Sequence, residues 1–308
     1  MAEAGRRHRV AHAALATSLA AMLAVAATAA PAASAAAAGG TAGSRAPAGR
    51  VTAVAAGVQY TCVITAVGAV RCFGWNDDGQ ATPPADLRRA TAVAAGADTT
   101  CAITTAGEAR CWGNDFYGEA TPPDDLGTVS AISPGFDFTC AITSAAEARC
   151  WGDDFHGRAT PPADLGTVTA ISSGWWHACA VTSAGAVRCW GADFDGLTNP
   201  PTDLGEATDV ATGAYHACAV TSGGLVRCWG DGASAPPSNL RAVDVTAGYL
   251  HTCAITVGGR ARCWGSDNDG QSSVPSDLGT VTAISAGGDH TCAVTTARAL
   301  RCWGSIDI

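Results

Sequence analysis

Not one lysine occurs in the 308 residues, and the formal net charge is −9. A lysine-free acidic chain repels phosphate backbones, so nucleic acid is a disfavoured partner. No window carries sustained helical periodicity, which directs the reading toward strands. The serines are scattered through turns, and no histidine stands apart beside an acid and a nucleophile. No catalytic constellation is therefore legible, and the chain is expected to be a non-enzyme without cofactor or metal. Asn76-Asp77-Asp78-Gly79 and Asp267-Asn268-Asp269-Gly270 have the look of calcium loops but lack the bidentate acid such a loop requires, so they read as turns. Lastly, no cysteine lies outside a single repeated pattern.

That pattern is Cys, nine residues ending in Arg, then Cys-aromatic-Gly. It pairs Cys62/Cys72, Cys101/Cys111, Cys140/Cys150, Cys179/Cys189, Cys218/Cys228, Cys253/Cys263 and Cys292/Cys302. The second cysteine returns every 39 residues, except for one step of 35 between Cys228 and Cys263. A period of this size marks an array of one supersecondary unit. Each unit reads as three short strands, such as Val51–Gly57, Thr61–Thr65 and Ala69–Phe73, followed by a polar loop and a Pro-Pro-x-(Asp/Asn)-Leu return. Three strands and seven units favour an all-β, seven-bladed propeller of three-stranded blades over residues 51–308. An open β-solenoid is the competing architecture; it would use shorter repeats and terminal caps.

Cys62 and Cys72 lie symmetrically about Val67, so a hairpin centred there makes them direct cross-strand partners within disulfide reach. One intra-hairpin disulfide per blade is expected, each contributing about 3 kcal/mol through loop closure. Zinc is the alternative use of these cysteines, because His177, His216, His251 and His290 each stand two residues before one. Structural zinc sites gather clustered Cys and His, which seven isolated hairpins do not.

Residues 1–35 have the form of a secretory signal: Arg6, Arg7 and Arg9, an Ala/Leu/Val run over 10–30, and small residues at Ala33-Ser34-Ala35 or Ala27-Thr28-Ala29 for cleavage. Arg6-Arg7 admits twin-arginine export. A retained anchor is disfavoured by the Thr, Ser and Pro breaks, since a spanning helix needs about 20 strongly apolar residues. Residues 36–50 read as a flexible linker. Removing Arg6, Arg7, Arg9 and Glu3 takes away a net +2, so the mature charge falls from −9 to −11. Export places the cysteines where disulfides persist. A secreted monomer, with no membrane association after cleavage, is expected.

Gly174-Trp175-Trp176-His177-Ala-Cys-Ala-Val and Trp264-Gly-Ser-Asp-Asn-Asp-Gly-Gln271 resemble the regulator-of-chromosome-condensation repeat family, in register across 51–304. The short period, the segment Gly118–Pro123 and the abbreviated 229–240 loop resemble the compact secreted propellers of the β-lactamase-inhibitory type. That resemblance implies a seven-bladed propeller that binds a protein, such as an extracellular class A β-lactamase. A cysteine pair in every unit is a departure from that type, so target identity need not carry over.

The repeat is its own control: residues present in every unit are explained by packing. The aromatic after each second cysteine and the arginine before it belong to that group. The two residues following the conserved glycine do not: Val58-Gln59, Ala97-Asp98, Phe136-Asp137, Trp175-Trp176, Ala214-Tyr215, Tyr249-Leu250 and Gly288-Asp289. Large aromatics fall in units three to six. The resemblance implies that target-binding aromatics lie in these loops, which applies to Phe136, Trp175, Trp176, Tyr215 and Tyr249. A second variable set follows Trp-Gly and adds Phe116, Tyr117, Phe155 and Phe194, with gap-filling between loops as their alternative use. Exposed aromatics of this kind dominate protein–protein hot spots. The expected function is protein binding through one rim. The alternatives are a carbohydrate- or cell-wall-binding lectin, a purely structural repeat, and the guanine-nucleotide exchange known in the parent family, which export makes improbable.

Overall fold

The computed structural model describes residues 49–232 and 235–305. The expected signal segment 1–35 and nearly all of the 36–50 linker lie outside the described residues. Among those described there are seven three-stranded antiparallel sheets, one per repeat, at 51–74, 90–113, 129–152, 168–191, 207–229, 242–265 and 281–304. They are called blades 1 to 7 below. In blade 1 the strands are Val51–Ala56, Tyr60–Thr65 and Val70–Gly74, paired in sequence order. No described helix is long and apolar enough to cross a membrane.

The hairpin register follows from its turn. Thr65 N–H donates to Ala69 O, and beyond the strand end Trp75 N–H donates to Gln59 O. Those two bonds fix the hydrogen-bonded pairs at odd positions of the second strand, which leaves Cys62 opposite Cys72 at a closer, non-hydrogen-bonded pair. The same register sets Cys101 opposite Cys111, Cys140 opposite Cys150, Cys179 opposite Cys189, Cys218 opposite Cys228, Cys253 opposite Cys263 and Cys292 opposite Cys302. All seven pairs are disulfides with Cα atoms 4.0 Å apart, nearer than the usual facing distance. No thiol is left among them for zinc.

The sequence pattern treats the two cysteines of a pair alike, and here the structure differs. The first cysteine, on the middle strand, is fully buried in every blade, so each bridge also fills core volume. The second lies on the third strand, the outer edge of its blade, which has no strand beyond it. Cys111, Cys150, Cys189, Cys228, Cys263 and Cys302 are accordingly only half-buried, and Cys72 alone of this set is buried.

The first strands stand innermost: those of consecutive blades contact one another, and that of blade 7 contacts that of blade 1. Closure is specific. Val51 N–H donates to Arg298 O, Ala56 N–H to Ser285 Oγ, and Thr61 Oγ1 bonds His290 Nε2 at 2.8 Å. The core is a set of blade–blade seams rather than one centre. In the first seam Cys62, Ile64 and Val70 meet Ala90, Ala102 and Trp112 of blade 2.

Two polar devices repeat at these seams. The indole Nε1 of Trp112, Trp151, Trp190, Trp229 and Trp303 donates to the carbonyl of a buried loop residue of the preceding blade: Gln80, Glu119, Arg158, Leu197 and Gln271. His216 and His251 bond Thr252 and Thr291 of the following blade, each at 2.8 Å. The recurrent arginines 110, 149, 188, 227 and 301 each pair with the aspartate of the return loop arriving from the preceding blade, at 2.8–3.1 Å. These pairs are well exposed, so each is worth little.

A collar of seven glycines packs backbone against backbone around the axis: 57, 96, 135, 174, 213, 248 and 287. A Cβ on any of them would lie 2.2–2.7 Å from the carbonyl oxygen of the next, the last facing Gly57. Gly174→Ala should therefore cost about 1–3 kcal/mol by overpacking, whereas Gly223→Ala, where a Cβ would meet only Thr221 Oγ1 at an ordinary 3.8 Å and φ is not positive, should stay within about 0.5 kcal/mol. Thermal denaturation of the two variants checks this; equal melting temperatures would contradict the collar.

Candidate partner-binding rim

Immediately after each collar glycine come the two variable residues, which stand at one mouth of the ring. The backbone holds them there. Phe136 N–H donates to Gly174 O and Tyr249 N–H to Gly287 O, one blade onward. The carbonyl of the second residue accepts from the strand end after Trp-Gly, as in Asp153 N–H to Asp137 O and Ala192 N–H to Trp176 O. Both variable loops therefore share one rim.

On that rim the aromatics form a continuous chain. Phe136 stacks on Trp175 with centroids 4.8 Å apart and planes at 14°, and Trp175 meets Tyr249 at 4.7 Å. Tyr249 meets Tyr215 at 6.1 Å. In the other direction Phe136 approaches Trp176 at 6.2 Å, Trp176 meets Phe194 at 6.1 Å, Phe194 meets His156 at 5.6 Å, and His156 meets Phe155 at 4.0 Å. Seven of the nine residues singled out from sequence are thus brought together. Phe116 and Tyr117 form their own pair at 4.8 Å. The sequence reading expects exposed rings, and Phe155 and Phe194 are exposed. Phe136, Trp175, Trp176, Tyr215 and Tyr249 are half-buried because they pack on one another. His156 is the link between loops that the sequence reading passed over.

Trp175 and Tyr249 also line a pocket on the axis together with Val58, Ala97, Gly288 and the collar. Its volume is about 70 Å³, room for a side-chain tip or water and far below the several hundred Å³ of a metabolite site.

Charge at the rim is acidic. Asp98, Asp137 and Asp289 follow the collar in blades 2, 3 and 7. Burial raises all three carboxyls above the ordinary range, Asp137 to about 6. Arg158, almost wholly buried, pairs with Asp153 and lies 3.7 Å from Asp137. It also donates to Trp175 O at 2.8 Å, tying this network to the aromatic chain. Arg158 and the buried Glu119 occupy the position of Gln80 and Gln271, so comparing the repeats at that position would have exposed them.

A second polar break lies in the inner strands. Their third position is alanine in five blades but Asp209 and Asp244 in blades 5 and 6. Asp209 accepts from Val210 N–H at 2.9 Å and from Val245 N–H at 3.0 Å across the seam. Asp244 is raised to about 7 by burial and by the Asp209 carboxyl with which it shares a hydrogen bond. The buried histidines run the other way: burial lowers His177 to about 3 and His216, His251 and His290 to about 4.

The sequence pattern described as "Regulator of chromosome condensation (RCC1) repeat" matches residues 51–80, 90–119, 168–196, 207–234, 242–271 and 281–305. No curated protein matches the chain. Among solved structures, the entire ectodomain of the Physcomitrella patens receptor kinase CR4 is similar with a TM-score of 0.70 and 24% identity, over 84% of this chain and 75% of that one. The CRINKLY WD40 ectodomain of the Arabidopsis thaliana receptor kinase ACR4 gives 0.69 and 22%, over 85% and 99%. Prp20p of Saccharomyces cerevisiae, described with its binding properties to Gsp1p and histones, gives 0.63 and 15%, over 83% and 82%.

The Asp244 carboxyl yields a prediction with a definite sign. Its folded-state pKa lies above the unfolded value, so the folded protein holds that proton from about pH 4 to pH 7 and loses the associated stability as pH rises through about 7. Asp244→Asn keeps the hydrogen bond to Asp209 and removes the titration. Relative to wild type it should gain on the order of 1 kcal/mol between pH 5 and pH 8, read by urea denaturation at both pH values. A pH-independent difference would contradict the shared proton. With six repeats matched in register and seven three-stranded sheets closing one ring, the chain belongs to the regulator of chromosome condensation (RCC1) repeat family.

Proposed function

We propose that this protein is a secreted propeller that binds another protein through its aromatic rim. The observation that carries the reading is the unbroken run of rings from Phe155 to Tyr215, placed on blades whose other features repeat. Aromatic side chains give large contact area at small entropic cost, and clustered, partly packed rings are typical of hot spots. The stacking of Phe136 on Trp175 pre-organises the patch, which lowers the ordering cost of binding. Disulfides in all seven blades suit an oxidising, extracellular setting. Receptor-kinase ectodomains and Prp20p, with its binding to Gsp1p and histones, are relatives in fold that support the same direction.

The finer version is an inhibitor that caps an extracellular enzyme such as a class A β-lactamase. A sugar-binding propeller would carry equivalent stacking sites in many blades; here the large rings next to the collar fall in blades 3 to 6 alone.

Titration against a panel of class A β-lactamases at micromolar protein tests the finer version, and absence of both inhibition and binding would remove it. For whichever protein binds, Trp175→Ala and Trp176→Ala should each cost more than about 2 kcal/mol in affinity. Phe116→Ala, outside the continuous run, should cost less than about 0.5 kcal/mol. Calorimetric titration reads all three, and unchanged affinity in both tryptophan variants would refute the rim assignment.

A further inference from the structure

The aromatic arc and the acidic arc divide one mouth between them, and they meet at both ends. Asp137 follows Phe136 in the chain, and across the next-to-last seam Asp289 acts electrostatically on the Tyr249 hydroxyl. The acids are crowded by like charge: Asp78 and Glu119 act on Asp98, and Asp269 acts on Asp289. The Asp98 and Asp289 carboxylates accept hydrogen bonds from the neutral amides of Gln80 and Gln271, at 3.5 and 3.4 Å. Between each Trp-Gly (Phe-Gly in blade 1) and the proline of the return segment the one arginine is Arg158, and the chain has no lysine. Arg158 has a side chain 3% exposed and is committed to Asp153 and Asp137, so it cannot answer charge outside. Glu119 is buried with Oε1 unpartnered, while its Oε2 accepts from Tyr117 N–H. The rim thus presents two half-buried carboxylates, Asp98 and Asp137, and the exposed Asp289 without a mobile cation of its own, beside aromatic faces at the opening of a pocket sized for a side-chain tip.

We propose that the axial mouth receives a basic side chain, the lysine or arginine of a protruding loop on the protein partner. Its apolar stem lies against Trp175 and Tyr249 and its charge sits among Asp98, Asp137 and Asp289. The proposal rests on the protein-binding reading of the rim and adds the partner's chemistry. Three physical effects favour it: a long cationic side chain buries its methylenes on apolar surface, its charged head is attracted to aromatic faces, and complementary charge steers encounter and fixes register.

The test is selection of a phage-displayed constrained-loop library on the full chain, followed by affinity measurements on the enriched peptides. The expected result is loops bearing Lys or Arg beside apolar residues. Their affinity should fall about tenfold or more on Trp175→Ala, on the double substitution Asp98→Asn with Asp289→Asn, and on replacing the peptide's basic residue by norleucine. It should also weaken as salt rises. The norleucine exchange leaves the protein untouched, so it decides the question even if a variant folds poorly. Enriched loops that lack a basic residue, or tolerate norleucine, yet lose binding on Trp175→Ala would overturn the basic-partner proposal and leave the aromatic rim standing. No enrichment over a disulfide-free control surface, or binding indifferent to Trp175→Ala, would overturn both.

Discussion

Everything in this molecule is hung from the place where seven sheets come closest to one axis. There the backbones of neighbouring blades touch, with each collar glycine against the carbonyl of the next. A side chain at any of the seven positions would wedge two blades apart and open the ring. The collar therefore demands glycine once per repeat, and it fixes where the following two residues emerge. Because the collar uses backbone atoms, those two residues are free to vary without disturbing it. Variation is found there: Val58-Gln59 in one blade, Trp175-Trp176 in another.

Blades this small bury few large side chains. Their seams are lined with alanine, valine and isoleucine, and the recurring tryptophan is the main bulky residue. Disulfides compensate in two ways, by filling each seam with buried sulfur and by limiting the freedom of the unfolded hairpins. Directional bonds then lock neighbouring blades in place, through indole N–H to the preceding loop carbonyl and His Nε2 to the following threonine. Blades 1 to 3 carry Tyr60, Thr99 and Phe138 in place of that histidine, and among the four histidines His177 is the exception. His177 faces a blade whose corresponding residue is Ala217 instead of threonine, and both its ring nitrogens lack a partner.

Much of this was legible in the sequence because it is periodic. Symmetry about Val67 located the hairpin and paired Cys62 with Cys72; the 39-residue step indicated a ring of equal units. The contrast between Trp175-Trp176 and its six counterparts marked the rim. Contacts made across seams were hidden, because only the closed ring brings together residues 35 to 40 positions apart. Asp209 and Asp244 look like two isolated exceptions to alanine until blades 5 and 6 are set side by side. Arg158 reads as one more loop residue until Asp137 and Asp153 are seen around it. The half-burial of Phe136 and Trp175 was equally hidden, since each is covered by the other. So was the unequal burial within each cysteine pair, which depends on which strand forms the outer edge of the blade. Phe116 and Tyr117 resembled Phe155 in sequence context, but their rings pair with each other, whereas Phe155 is joined to Phe194 through His156.

In the proposed reading, sameness among the blades is scaffold and departure from sameness at the rim is function. This division is tested most directly by giving blade 4 the rim residues of blade 1, with Trp175→Val and Trp176→Gln together. Proteins captured from culture supernatant are then compared between that variant and the wild type by quantitative mass spectrometry. The expected variant has all seven disulfides formed and a melting temperature close to wild type, and no longer captures the proteins the wild type holds. Capture of the same proteins in the same amounts by the folded variant would contradict that division.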